Sequence, residues 1–181
     1  MDETPIMDTN QYLSFILDKE IFAIEISRVR EVLEYSRVTK VPKSPDFLCG
    51  VINLRGRVVP VVDMRLKFGM TKTDQTIDTC IIIVEIKIDD ELTVLGAMVD
   101  SVREVIELEM HEIEPPPRIG THLDTSFING MGKKNNEFII ILDINKVFSL
   151  SELTIVNNSQ SQVQELSGDI GTTSEMQEKS L

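Results

Sequence analysis

The chain carries its own sequence twice. Val29-Arg30-Glu31-Val32 returns 73 residues later as Val102-Arg103-Glu104-Val105, and Phe47-Leu48-Cys49-Gly50-Val51 is echoed 80 residues later by Phe127-Ile128-Asn129-Gly130-Met131. Val61-Val62-Asp63 answers Ile141-Leu142-Asp143 at the same 80-residue spacing, so the copies run in parallel, with about seven extra residues between Glu107 and Phe127 of the second. Solenoid arrays need three or more short repeats to bury a continuous core, whereas two copies of roughly 70 residues predict two packed subdomains that share an interface. Function is then expected on surfaces and at the junction.

Charge and composition narrow the partners. With 181 residues, 41% hydrophobic and 27% charged, the chain is an ordinary globular one that can bury a core. Its formal net charge of −12 opposes phosphate backbones and anionic lipid, which recruit clustered Lys and Arg, so neither nucleic acid nor direct membrane insertion is expected. Met1-Asp2-Glu3-Thr4-Pro5 has no basic n-region or apolar h-region, and apolar runs are as short as Ile81-Ile82-Ile83-Val84, so a cytoplasmic protein is expected. Cys49 and Cys80 have no Cys or His at metal spacing and read as reduced core thiols.

The composition changes near residue 150. Residues 151–181 are rich in Ser, Gln, Glu, Thr and Asn, with five acidic residues against Lys179, and predict a mostly disordered tail that starts at most with a short helix. The preceding part keeps 25 acidic against 17 basic residues, a balance of −8. Residues 1–10 read as a loose end, residues 11–150 as the folded domain, and the junction of its two barrel subdomains is placed near 70–80, with ends that can cross over.

The strongest periodicity is that of strands. Tyr12 to Leu17, Phe22 to Ile26, Leu48 to Leu54, Val58 to Val62, Cys80 to Ile88, Leu92 to Val99 and Glu137 to Leu142 are β-branched runs bounded by Gly, Pro, Asn or Asp. Asp18-Lys19-Glu20 and Asp89-Asp90-Glu91 read as equivalent turns. Ser27 predicts the cap of a helix that gathers Val29, Val32 and Leu33 on one face, and Asp63 and Asp143 predict caps for Met64 to Phe68 and Ile144 to Phe148. The segment after Ser101 fits helix or strand. Short strands and one small helix per copy predict a mainly β chain of two small barrels, because closure hides strand edges.

Catalytic constellations are missing from the sequence. There is no Gly-x-Ser-x-Gly, no His-Glu-x-x-His and no Gly-x-x-x-x-Gly-Lys-Ser/Thr, and Gly130-Met131-Gly132-Lys133 lacks the frame of a phosphate loop. His111 and His122 flank Glu112, Glu114 and Pro115-Pro116-Pro117, but a stiff polyproline segment between the histidines gives no metal spacing. No metal, cofactor or catalytic residue is expected. Asp63, Asp100 and Asp143 each end an apolar strand, and capping or turn formation explains them more simply than acid/base chemistry.

Asn53-Leu54-Arg55-Gly56-Arg57 lies between two strong strands and predicts a hairpin whose tip presents Arg55 and Arg57, with Gly56 supplying a positive φ. A solvated turn and a recognition hairpin that offers Arg55 to a carboxylate both fit, and Glu31 reads equally as a solvent-facing charge or part of a docking edge.

The run Phe47-Leu48-x-Gly50-Val51-Ile52-Asn53-Leu54-Arg55-Gly56-x-Val58-x-Pro60-Val61-Val62-Asp63-x-Arg65 resembles the CheW family of bacterial chemotaxis coupling proteins, as do Val29-x-Glu31-Val32, Val41-Pro42-x-x-Pro45 and Ile128-x-Gly130-Met131-Gly132. The resemblance spans Gln11 to about Leu150. It implies two tandem SH3-like five-stranded barrels that act as a non-enzymatic adaptor between chemoreceptor cytoplasmic signalling tips and the regulatory domain of the histidine kinase CheA, recruited to receptor clusters and compatible with higher-order arrays. It places receptor contacts on Val29, Glu31, Gly50, Arg55 and Gly56, with Asn53 and Leu54 shaping the hairpin, and marks no kinase-contact residue. The alternative from another class is a β-barrel small-ligand binder or enzyme that uses Asp63, Asp143 and the junction between barrels.

Overall fold

Four turns set the architecture. Asp18/Lys19, Arg55/Gly56, Asp89/Asp90 and Asn135/Asn136 are consecutive pairs with positive φ, between 46° and 82°. Two such residues in a row make the turn whose twist matches a β-hairpin. Each therefore folds its flanking apolar runs back on themselves with a two-residue link.

The computed structural model describes residues 9–116, 126–148 and 152. Its strands are β1 (Thr9–Leu17), β2 (Glu20–Glu25), β3 (Val29–Glu34), β4 (Leu48–Leu54), β5 (Arg57–Asp63), β6 (Cys80–Ile88), β7 (Glu91–Val99), β8 (Ser101–Glu109), β9 (Ile113–Glu114), β10 (Ile128–Lys134) and β11 (Glu137–Leu142), with short helices α1 (Met64–Lys67) and α2 (Ile144–Val147). One sheet runs β8-β1-β2-β11-β10-β9 and the other β3-β6-β7-β5-β4. The chain is mainly β, as expected.

The copies interlock. The β1–β2 hairpin of the first copy pairs with β8 and β11 of the second, while the β6–β7 hairpin of the second pairs with β3 and β5 of the first. Even the parallel registers repeat: Ala23 faces Ile141 as Gly96 faces Val61. The segment near 70–80, where one copy gives way to the next, therefore joins two strands of the same sheet. The chain passes between sheets at Ile26–Arg28 and again at Asp100.

Each sheet closes into a barrel through the chain that follows its first strand. Beyond β3, Thr39 exchanges both backbone hydrogen bonds with Val51 of β4, at 2.9 and 2.8 Å. Beyond β8, a 3-10 turn at Met110–Glu112 leads into β9, where Glu114 faces Met131, the equivalent of Val51. With β8 and β9 counted as one broken strand, both barrels are five-stranded, in keeping with an SH3-like description.

Alternation along the strands feeds three apolar cores. Tyr12, Ala23, Ile106, Leu108, Ile139 and Ile141 fill one barrel, and Ile52, Val59, Val61, Ile81, Ile83 and Met98 fill the other. The largest core lies between them, where Leu13, Phe15, Phe22 and Ile24 of one sheet meet Ile82, Val84, Ile86, Leu95 and Val99 of the other. Because β6 is buried on both faces from Ile81 to Val84, Cys80 to Val84 reads as an unbroken apolar run, and Glu85 and Lys87 enter only where the strand nears the surface. Phe15, Phe22, Phe68 and Phe127 stack in a row through this shared core, with centroids 5.2–5.9 Å apart.

Several expectations change. Ser27 caps no helix: Ile26–Arg28 is a single 3-10 turn, and Val29, Val32 and Leu33 lie on β3. Burial alternates along β3 through the bulge between Val29 and Glu31, but Glu31 takes an inner position and Val32 an exposed one, so the residue types do not announce a strand. The segment after Ser101 is likewise a strand. Residues 9 and 10 belong to β1, where they face Glu109 and Leu108, so the ordered chain starts before Gln11. Glu20 and Glu91 open strands rather than completing turns. His122 and, apart from Glu152, the expected tail lie outside the described residues.

Asp63 and Asp143 cap as expected, Asp63 Oδ1 accepting from the Arg65 and Leu66 amides and Asp143 Oδ1 from that of Asn145. Asp100 caps nothing. Its carboxylate accepts from Arg65 Nε at 2.7 Å and Nη2 at 2.6 Å and from the Asp18 amide at 2.9 Å. Burial opposes its ionisation most strongly, but the Arg65 hydrogen bonds, the Asp18 amide and the Arg65 charge together outweigh it and hold the carboxyl below its ordinary range. A depressed folded value means that this stabilisation is complete above the unfolded carboxylate pKa of about 4 and is lost as pH falls through the folded value. Thermal melts of Asp100→Asn are expected to show a lower melting temperature at neutral pH and a shallower fall below about pH 4 than the wild type. A parallel shift at every pH would contradict the linkage.

Candidate functional site: the β4–β5 hairpin against β3

The β4–β5 tip leans on β3 through one ion pair. Arg55 Nη1 donates to Glu31 Oε1 and Nη2 to Glu31 Oε2, both at 2.9 Å, a two-pronged fork across 24 positions of sequence. The Arg55 side chain remains 76% exposed and that of Glu31 24%. Guanidinium has five N–H donors, so the fork leaves others free toward solvent. An exposed pair of this kind contributes at most about 1 kcal/mol to folding, and its larger effect is to hold a long side chain in one pose.

Local sequence builds that pose. Arg55 itself adopts φ 50° and Gly56 φ 82°. Asn53 Oδ1 accepts from the Gly56 amide at 2.9 Å and closes the turn from the side. Leu54 is half-buried and packs against the interior of its barrel.

The structure thus brings together Glu31, Asn53, Arg55 and Gly56 at the surface and leaves two of the expected contact residues underneath. Val29 is half-buried and packs on the shared core. Gly50 is buried, and a Cβ on it would lie 2.1 Å from the Thr39 carbonyl oxygen, so the close approach that this glycine permits is by its own chain. Val32, 41% exposed and next to Glu31, is an apolar surface residue that the helix reading of this segment hides. On the same strand Arg30 pairs with Glu85 of β6.

The junction reading finds less. Asp63 borders a cleft of about 270 Å3 whose lining includes Tyr35, Lys40 and Lys72, and Asp143 borders a separate cavity of about 110 Å3 with Glu25 and Arg28. Both carboxylates are engaged by backbone amides, and they do not converge on one space. Glu109, His111 and Glu112 gather their ligand atoms within 4.8 Å, but Glu109 and Glu112 form a reciprocal capping box of the 3-10 turn and His111 Nδ1 lies 3.0 Å from Glu109. Cys49 and Cys80 are free and half-buried, and burial, reinforced by Asp63, pushes the Cys49 thiol up to about 12, away from nucleophilic chemistry. Among the described residues no helix is long and apolar enough to cross a membrane.

The CheW-like domain profile matches residues 11–152. The chain belongs to the CheW family. The CheW chemotaxis protein of Klebsiella aerogenes is 34% identical over 148 residues, covering 82% of this chain and 87% of that protein. CheW of Thermotoga maritima is 33% identical over 148 residues, with 80% and 90% covered. Among solved structures, the scaffolding protein TtCheW of Thermoanaerobacter tengcongensis superposes with a TM-score of 0.69 at 37% identity, covering 79% of this chain and 94% of that one. The chain is accordingly a CheW-type chemotaxis scaffold, and its duplicated barrels are the family's fold.

Proposed function

We propose that this CheW-family scaffold is a non-enzymatic adaptor that couples chemoreceptor signalling tips to the regulatory domain of the histidine kinase CheA, in the cytoplasm at membrane-bound receptor clusters. The observation that carries the reading is the Glu31–Arg55 fork at the tip of a motif shared with the family. A guanidinium fixed on one side and open on the other is suited to a carboxylate or a helix-end carbonyl of a helical partner, with Val32 as an apolar neighbour. Asn53, Leu54 and Gly56 set the turn. Val29 and Gly50 act from beneath, by fixing β3 and the Thr39 strap against which the hairpin sits. The kinase surface has no assigned residue.

Calorimetric titration of the protein against a CheA regulatory domain and, separately, a receptor signalling-tip fragment tests this. Saturable binding to both is expected. Binding to neither by folded protein would mean that the family fold serves another purpose here.

A further inference from the structure

The chain crosses between barrels twice among the described residues, and the two crossings are built differently. At the second, Asp100 stands between β7 and β8 and is clamped from both sides. From the hairpin barrel, Arg65 on α1 grips its carboxylate with Nε and Nη2, at 2.7 and 2.6 Å, while Nη1 donates to the Thr71 carbonyl at 3.1 Å. From the other barrel, the Asp18 amide donates to the same carboxylate at 2.9 Å, the Asp18 carboxylate stands 3.8 Å from Arg65 Nη2, and the Asp100 amide donates to Ile16 at 3.1 Å.

At the first crossing, the 3-10 turn Ile26–Arg28, the described residues form no comparable clamp. Asn145 occupies the place on α2 that Arg65 holds on α1, and it offers one neutral hydrogen bond, its Oδ1 accepting from the Lys87 amide at 3.1 Å. Arg28 makes no ion pair among the described residues, although Glu25 and Asp143 line the same cavity, which measures about 110 Å3.

We propose that Arg65–Asp100 is a latch that fixes the angle between the barrels, and that the crossing at Ile26–Arg28 is the pivot. The shared apolar core holds the barrels together but is non-directional, whereas a forked charge-assisted pair specifies direction. Since β5 runs unbroken from the hairpin tip to Asp63, and α1 follows at once, the latch also sets the bearing of Arg55 on the other barrel. Arg65 is thus a positioning residue for the hairpin, whichever partner the hairpin meets.

The test needs no partner. Spin labels on Asp90→Cys in one barrel and Asn136→Cys in the other, on a Cys49→Ala, Cys80→Ala background, report inter-barrel distances. The wild type is expected to give one narrow distribution, Arg65→Gln a broadened or two-component one with unchanged circular dichroism, and Asn145→Ala a distribution close to wild type. Should Arg65→Gln fail to fold, Arg65→Lys, which keeps the charge and loses the fork, is expected to broaden the distribution. A lower melting temperature with an unchanged distribution would reduce the pair to a stabilising contact and overturn the latch, and equal broadening by Asn145→Ala would overturn the asymmetry.

Discussion

Arg55→Glu is expected to leave the protein folded and to remove its affinity for a receptor-tip fragment by at least two orders of magnitude. The stability side follows from the geometry. The Arg55 side chain is 76% exposed, and among the described residues the ion pair it loses is the one with Glu31, so the cost is at most about 1 kcal/mol, or roughly 2–4 °C in a chain of this size. The binding side follows from charge reversal at the proposed contact residue. Truncating an interface anchor costs about 2 kcal/mol or more, and a carboxylate placed beside Glu31 adds repulsion toward any partner acid, so about 3 kcal/mol and a hundredfold loss is a conservative expectation.

Two companions separate pose from contact. Glu31→Gln keeps the guanidinium but loosens the fork, and about tenfold weaker binding is expected, a loss of the size attached to one ordered long side chain. Exchanging the two residues, Glu31→Arg with Arg55→Glu, rebuilds an ion pair between the same positions while presenting the wrong charge outward. If the exchange restored binding, the pair would act only by stiffening the hairpin, and Arg55 would have no contact of its own. Titration of each variant against the receptor tip and, as a folding control, the CheA regulatory domain distinguishes these outcomes. Unchanged receptor binding by a well-folded Arg55→Glu would sink the assignment of this face.

How far the sequence reaches is visible in particular elements. β4, β6 and β11 fall on the runs read from periodicity, because each has a cluster of Val or Ile and a turn or cap at its ends. β10 is weaker: Gly130, Gly132, Lys133 and Lys134 dilute its pattern, and only its echo of β4 marks it. β3 misleads, since Val29, Val32 and Leu33 satisfy a helical period over six residues while Glu31 at an inner position and Val32 at an exposed one obscure the strand period. The repeat itself is legible but the exchange of hairpins between copies is not, because pairing partners such as Ile21 and Ile139 lie 118 positions apart and no local pattern records them. The site divides in the same way. Sequence marks Glu31 and Arg55 separately, through strand edge and turn, and only the closure of the barrel brings the one within hydrogen-bonding reach of the other.

Gly50→Ala is expected to be the most destabilising single methyl that can be added to the hairpin barrel. Two independent effects coincide there. Its φ of +145° is one that L side chains rarely adopt, and its Cβ would stand 2.1 Å from the Thr39 carbonyl oxygen and 2.8 Å from Val38 Cγ1. The nearest obstacle is backbone, held by two hydrogen bonds to Val51 at 2.8 and 2.9 Å, so it cannot rotate away, and relief requires the strap that closes the barrel to lift. Backbone strain and overpacking each cost about 1–3 kcal/mol, and their sum of about 3 kcal/mol or more corresponds to roughly 6–12 °C in melting temperature. Gly56→Ala isolates the first effect. At φ +82° it has nothing within 4 Å of the added atom, so only the conformational cost of about 1–2 kcal/mol remains. Calorimetric melts of the two variants should therefore differ by several degrees, and equal melting would mean that the strap yields. The comparison also decides how Gly50 bears on partner binding. Gly50 is buried against its own chain, so any loss of receptor affinity in Gly50→Ala is expected to come with lost protection of the Thr39 and Val51 amides in hydrogen exchange, whereas a direct contact would leave those amides protected.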